Sequence, residues 1–322
     1  MILALILSIY ILSFVLIKSA DQMVLAIRHL SKSSGGSFVL SALLLAIATS
    51  FPELFVGISS AVGKSPSLSL GNILGANIAN LSLVAGIAAF TVGRVNVHGT
   101  FLKRDVLVAL IAGLLPLVLV LDGQLSRVDG IALLLLYAAY ASSFFKRRFE
   151  EIAKEIEEKT FVHKFFRKIT HIDGNKTKEW GRLILAVGVL LVSANLIVRI
   201  AGQLAEIANI PVFLIGLIII SLGTTLPELG FSLRSLEDKE PTMFFGNLLG
   251  SIIANSTLII GLAATIYPIK IVAIEEYAVA AGFFLLIFLT FWFFIKSNMK
   301  LERWEAAVLL VLYLAFVVVE FV

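Results

Sequence analysis

The stretch AIATSFPEL, residues 46–54, places a glutamate directly after a proline inside an apolar run, and it returns as SLGTTLPEL at residues 221–229. A second pair follows each copy: GNILGANIAN at 71–80 and GNLLGSIIAN at 246–255, identical at seven of ten positions. Glu53 and Glu228 are 175 residues apart, and so are Gly71 and Gly246. A constant offset over two separate motifs marks an internal duplication.

The sequence around these motifs belongs in a bilayer. Of 322 residues, 59% are hydrophobic and 15% charged, and the mean hydropathy of +1.00 lies well outside the range of water-soluble domains. A spanning helix needs about 20 apolar residues. Ten stretches qualify: 1–27, 37–62, 67–92, 104–121, 128–145, 181–204, 212–236, 241–266, 275–295 and 303–321. The first, MILALILSIYILSFVLIK, has no basic leader and too long an apolar run for a signal peptide, so it reads as a retained helix.

The expected fold is therefore an all-α integral membrane protein of ten transmembrane helices. Residues 1–145 form a first five-helix repeat with its motif at 46–80. A connecting loop covers 146–180, and residues 181–322 form the second repeat with its motif at 221–255. Five is odd, so the two copies enter the membrane from opposite sides, the inverted-repeat pattern of many transporters.

Lys and Arg collect on the cytoplasmic side. With the amino terminus outside, only Lys64, Arg127, Arg199 and Lys270 of 26 basic residues face outward, so both termini are expected outside and the 146–180 loop inside. The net charge of +4 then reflects orientation and calls for no nucleic-acid partner. Within the loop, Glu150/Lys154 and Glu155/Lys159 have the i, i+4 order of a solvated helix. Its glutamates at 150, 151, 155, 157 and 158 lack the Asp/Asn/Gly spacing of a calcium loop, so a surface helix resting on anionic lipid is the better reading.

The chemistry gathers at the prolines. Pro52 and Pro227 lack an N–H, so carbonyls near Ala48 and Thr49, and near Gly223 and Thr224, lose their helical partners. Glu53 and Glu228 follow at mid-membrane depth, where a charged group costs about 3 kcal/mol. Ala46, Thr49, Ser50 and Glu53 share one helical face, as do Ser221, Thr224, Thr225 and Glu228. Carboxylate, hydroxyl and freed carbonyl oxygens together suit Ca²⁺ or Na⁺. The next helix of each half adds Asn72, Ala76 and Asn80, or Asn247, Ser251 and Asn255, at spacings of four. Asn80 and Asn255 read as ion or water ligands, whereas Asn72 and Asn247 suit ion binding and bridging hydrogen bonds equally. Gly71/Gly75 and Gly246/Gly250 let helices approach closely. Lys18, Asp21 and Asn195, near the ends of the first helix of each half, carry no assigned role. There is no Cys, and His29, His98, His163 and His171 fall in connections, so soft metals are poor cargo.

With these motifs the chain resembles the cation/calcium exchanger superfamily, most closely the small prokaryotic sodium/calcium exchangers. Their repeats carry G-T-S-x-P-E followed by G-N-x-x-G-S-x-x-x-N or D. The resemblance implies that helices 2, 3, 7 and 8, with 2 and 7 broken at proline, surround the cation sites while helices 1 and 6 slide to switch access. It implies calcium on Glu53, Glu228 and the carbonyls of Thr49 and Thr224. Sodium would use the carbonyls of Ala46 and Ser221, the hydroxyls of Ser50, Thr225 and Ser251, and the same glutamates. Ala76 departs from a serine and Asn255 from an aspartate in many relatives, which leaves stoichiometry open, while Thr225 replaces a serine with little chemical change.

The expected function is electrogenic antiport of Na⁺ against Ca²⁺ by alternating access, by a monomer in the lipid bilayer with no cofactor. A Ca²⁺/H⁺ antiporter is the alternative, because paired carboxylates can trade a cation for protons. A passive cation channel fits less well with proline-broken repeats. No H-E-x-x-H or G-x-S-x-G is present, so no enzyme is expected.

Overall fold

The computed structural model describes residues 1–33, 49–97, 101–157, 176–271 and 273–321. Ten helices run through them: α1 (Ile2–Ser33), α2 (Phe51–Val62), α3 (Pro66–Val92), α4 (Phe101–Leu119), α5 (Arg127–Glu157), α6 (Lys176–Ala208), α7 (Val212–Glu237), α8 (Pro241–Ile266), α9 (Ile274–Asn298) and α10 (Arg303–Phe321). Seven of them, α1, α3, α4 and α6 to α9, are long and apolar enough to cross a membrane. The shorter α2 follows residues 34–48, so Ala46 lies outside the described residues, as do His98, Glu158, His163 and His171. Residue 145 is not a helix end: α5 continues through the charged stretch to Glu157, as its i, i+4 Glu/Lys spacing allows.

Burial sorts the helices into layers. Of the apolar window, 83% is buried in α3, 72% in α8 and 67% in α7, against 17% in α1. The first three form the centre, while α1 turns Leu3, Leu7, Ile11 and Phe14 outward, as a helix facing lipid does. Ile9 and Leu16 of α1 and Leu190, Ala194 and Ile197 of α6 build a separate apolar cluster over Phe51, Phe55 and Val56 of α2. The larger core joins α3, α7 and α8 to α4, α5, α9 and α10.

α3 and α7 cross with their backbones in contact. A Cβ on Gly71 would lie 2.1 Å from the Phe213 carbonyl oxygen, and one on Gly75 1.9 Å from that of Leu217. Only glycine fits at either place. Three helices also carry a π turn, at Asn80–Val84 in α3, Ile215–Ile220 in α7 and Ala254–Ile259 in α8.

The 175-residue offset reappears in local geometry. Between α2 and α3 the N–H groups of Gly63, Lys64 and Ser65 donate to the carbonyls of Ser59, Ala61 and Ser60. Between α7 and α8 those of Asp238, Lys239 and Glu240 donate to Arg234, Leu236 and Ser235, each 175 residues on. Lys64 and Lys239 both adopt φ 59°. At the helix ends, β1 (Arg94–Asn96) pairs antiparallel with β4 (Lys300–Glu302), and β2 (Gln124–Leu125) with β3 (Ile269–Lys270). Each ribbon thus joins one half to the other, an element the apolar spans gave no sign of.

The α3–α7 crossing predicts opposite outcomes for two glycine substitutions. Gly75→Ala is expected to lower stability by about 2 to 3 kcal/mol through overpacking. Gly188→Ala in α6, where a Cβ meets nothing within 4 Å, is expected to raise it by about 0.5 to 1 kcal/mol. Thermal unfolding in detergent checks both.

Candidate cation site

The two proline motifs start helices at equivalent places. α7 stops at Thr224, Thr225 takes φ −84° and ψ 0°, and the helix restarts as Leu226–Glu237. Ser50 takes φ −89° and ψ 9° immediately before α2. Both starts hold the same bond, Leu54 N–H to the Ser50 carbonyl (3.0 Å) and Leu229 N–H to that of Thr225 (3.1 Å). Glu53 and Glu228 consequently sit in the first turn of a helix, where the amino-terminal end of the dipole favours negative charge.

Both glutamates are fully buried, and none of their four carboxylate oxygens has a hydrogen-bond partner among the described residues. The carboxylates lie close enough to repel each other, with Thr224 the polar neighbour of Glu53 and Ser251 that of Glu228. A buried, unpartnered acid pair needs a compensating ligand or proton.

Hydroxyls and amides tie the halves together around this pair. Thr49 Oγ1 donates to Asn247 Oδ1 (3.1 Å), and Thr224 Oγ1 donates to Asn72 Oδ1 (3.2 Å), two bonds related by the offset. Asn72 and Asn247 therefore bridge. Ser50 Oγ lies 3.5 Å from Ser251 Oγ. The opposite pair, Thr225 and Ala76, has no such contact available, and Thr225 Oγ1 donates to the Ser221 carbonyl (2.9 Å). That carbonyl also accepts the Thr225 N–H (3.0 Å) and Thr224 Oγ1 (3.3 Å).

Asn80 and Asn255 are both fully buried at the start of the π turns of α3 and α8. Among the described residues neither amide atom of Asn80 has a partner, nor does Asn255 Oδ1. Elsewhere, Lys18 and Asp21 pair with each other at the exposed surface of α1 (4.0 Å). Two polar residues that helical spacing passed over also lie here: Asn77 bonds to both Asn255 and Ser256. Their signal in the sequence is a broken duplication, since 175 residues separate Asn77 from Ile252 and Leu81 from Ser256. Among the described residues no three of His, Cys, Asp and Glu cluster, so the donor set is two carboxylates amid neutral oxygens. Such a set fits a hard cation as cargo.

Residues 1–146 and 178–322 match the sodium/calcium exchanger protein family. The chain belongs to that family. It is 28% identical to the sodium/calcium exchanger MaX1 of Methanosarcina acetivorans over 95% of both chains. It is 30% identical to the inner membrane protein YrbG of Escherichia coli, over 78% of this chain and 76% of that one. Its fold matches the solved sodium-calcium exchanger NCX_Mj with a TM-score of 0.61 and 25% identity over 99% of each chain. The exchanger is thus a multi-pass membrane protein whose relatives are transporters.

The cross-half bonds set a prediction. In the exchanger, Thr224→Val leaves the buried Asn72 carbonyl without its donor and is expected to cost about 1 to 3 kcal/mol. The half-buried Thr49→Val should cost less. Thermal stability of both variants in detergent measures the difference.

Proposed function

We propose that this exchanger moves Ca²⁺ against Na⁺ through one pocket made by the two broken helices. The observation that carries the reading is the pair of fully buried, unpartnered carboxylates of Glu53 and Glu228, brought together from motifs 175 residues apart. Calcium binds both glutamates and the Thr49 and Thr224 carbonyls. Sodium binds the same glutamates with the hydroxyls of Ser50, Thr225 and Ser251 and the carbonyls of Ala46 and Ser221. Asn80 and Asn255 complete the oxygen set. The family match and the names of MaX1 and NCX_Mj support sodium as the partner ion.

The architecture behind this is ten transmembrane helices in two inverted repeats, residues 1–145 and 181–322. The repeated turns at Lys64 and Lys239 and the two cross-half ribbons favour it. Inverted halves give alternating access about a fixed site. The protein works as a monomer, with both termini outside and the 146–180 segment cytoplasmic, as its basic residues favour.

Two charges of −1 are neutralised by one Ca²⁺ or by two Na⁺, so both cargoes cannot occupy the pocket at once. A third Na⁺ makes the cycle electrogenic, worth about 2.3 kcal/mol per 100 mV. Two buried carboxylates in one pocket can also trade a cation for protons, which supports a second reading, exchange of Ca²⁺ for protons.

Uptake of ⁴⁵Ca²⁺ into proteoliposomes loaded with Na⁺, K⁺ or acidic buffer decides between them. Uptake is expected only with internal Na⁺, faster with a potential that is negative outside, and lost in Glu53→Gln and in Glu228→Gln. Uptake driven by the pH gradient alone would replace sodium with protons, and single-channel currents would replace antiport with a pore.

A further inference from the structure

Asn77 lies in α3 and is 2% exposed. Its Oδ1 accepts from Asn255 Nδ2 (3.1 Å), and its Nδ2 donates to Ser256 Oγ (2.8 Å). Both partners belong to the π turn of α8, so one amide grips two consecutive residues. The ends of an amide are told apart by the bonds they make. With its nitrogen committed to Asn77, Asn255 presents its oxygen, which is buried and has no partner among the described residues.

Asn80, the repeat equivalent of Asn255, has nothing of the kind. Its own neighbour across the helix pair would come from position 252, an isoleucine, and neither of its amide atoms is bonded among the described residues. The two asparagines are therefore alike in sequence and unlike in their described partners: Asn255 is held through its nitrogen by Asn77, and Asn80 has no counterpart of that bond.

We propose that Asn77 is a positioning residue that fixes Asn255 as a neutral oxygen donor of the cation pocket. Fixing the orientation of a ligand through its other end removes the cost of ordering it when the cation arrives. The arrangement also explains how a neutral side chain can serve at this place. A freely rotating asparagine would present its NH₂ group to a cation half the time, and the bond to Asn77 forbids that orientation. The Ser256 hydroxyl accepts from the Asn77 nitrogen and anchors that amide, with its oxygen turned to Asn255.

This role rests on the antiport reading and is tested by a measurement that does not depend on the driving ion. Equilibrium binding of ⁴⁵Ca²⁺ to the purified full-length chain in detergent is compared for wild type, Asn77→Ala, Asn255→Ala and the double variant. Asn77→Ala is expected to weaken binding about tenfold. On the Asn255→Ala background it should add less than about twofold, because Asn77 acts only through Asn255. A mere structural tie between α3 and α8 would lower thermal stability and leave affinity alone, and that result overturns the proposal, as do two effects that multiply. Should Asn77→Ala not fold, Ser256→Ala decides: it lets the Asn77 amide turn and is expected to weaken binding about threefold, and unchanged binding overturns the proposal. A wild-type chain that binds no calcium overturns both this role and the antiport reading, whereas normal wild-type binding with an unaffected Asn77→Ala removes only the role of Asn77.

Discussion

Two carboxylates that have lost their water and face each other inside a bilayer repel, and everything around Glu53 and Glu228 answers that repulsion. Each acid sits in the first turn of a helix, so a helix dipole points its favourable end at each. In each motif a proline stands at the start of that helix, two residues after Ser50 or Thr225. Among the described residues no lysine or arginine neutralises the pair, and a permanent cation there would leave no room for a mobile one. The deficit is left for the cargo to fill.

A pocket with that deficit requires walls that do not collapse onto it. The walls come from α3 and α8, which carry amides where most buried helices carry aliphatic side chains. Thr49 to Asn247 and Thr224 to Asn72 cross between halves and hold the two motifs at fixed height. The glycine contacts of α3 with α7 bring those backbones close enough for Thr224 to reach Asn72. Outside this centre the ribbons β1–β4 and β2–β3 clip the halves together at the helix ends, while α1 and α6 lie over α2 on a separate apolar cluster. A tightly bonded centre and a pair of greasy, peripheral helices are different mechanical materials. Side-chain hydrogen bonds tie the first together, whereas apolar contact, which tolerates sliding, dominates the packing of the second.

The duplication is imperfect where it matters most. Ser251 meets Ser50, but Ala76 offers Thr225 no hydroxyl, and Thr225 turns back to the Ser221 carbonyl. Asn255 is held by Asn77, and Asn80 has no partner among the described residues. The two halves of the pocket thus offer different oxygen donors inside a near-symmetric scaffold.

Much of this could be read from the sequence. Apolar length is a property of the segment itself, set by transfer from water, so most of the spans were legible residue by residue. The duplicated motifs named the two glutamates, their hydroxyl neighbours and the prolines, because proline acts on its own helix wherever that helix lies. Spacing alone could not choose between bridging and binding for Asn72 and Asn247, could not see that α5 runs on to Glu157, and missed Asn77 and Ser256 altogether. Those outcomes depend on partners 152 to 198 residues away, or on a helix extending past the end of its apolar run. Which end of an amide is free is decided only when another helix arrives to take the other end, and the crossing of α3 with α8 makes that choice.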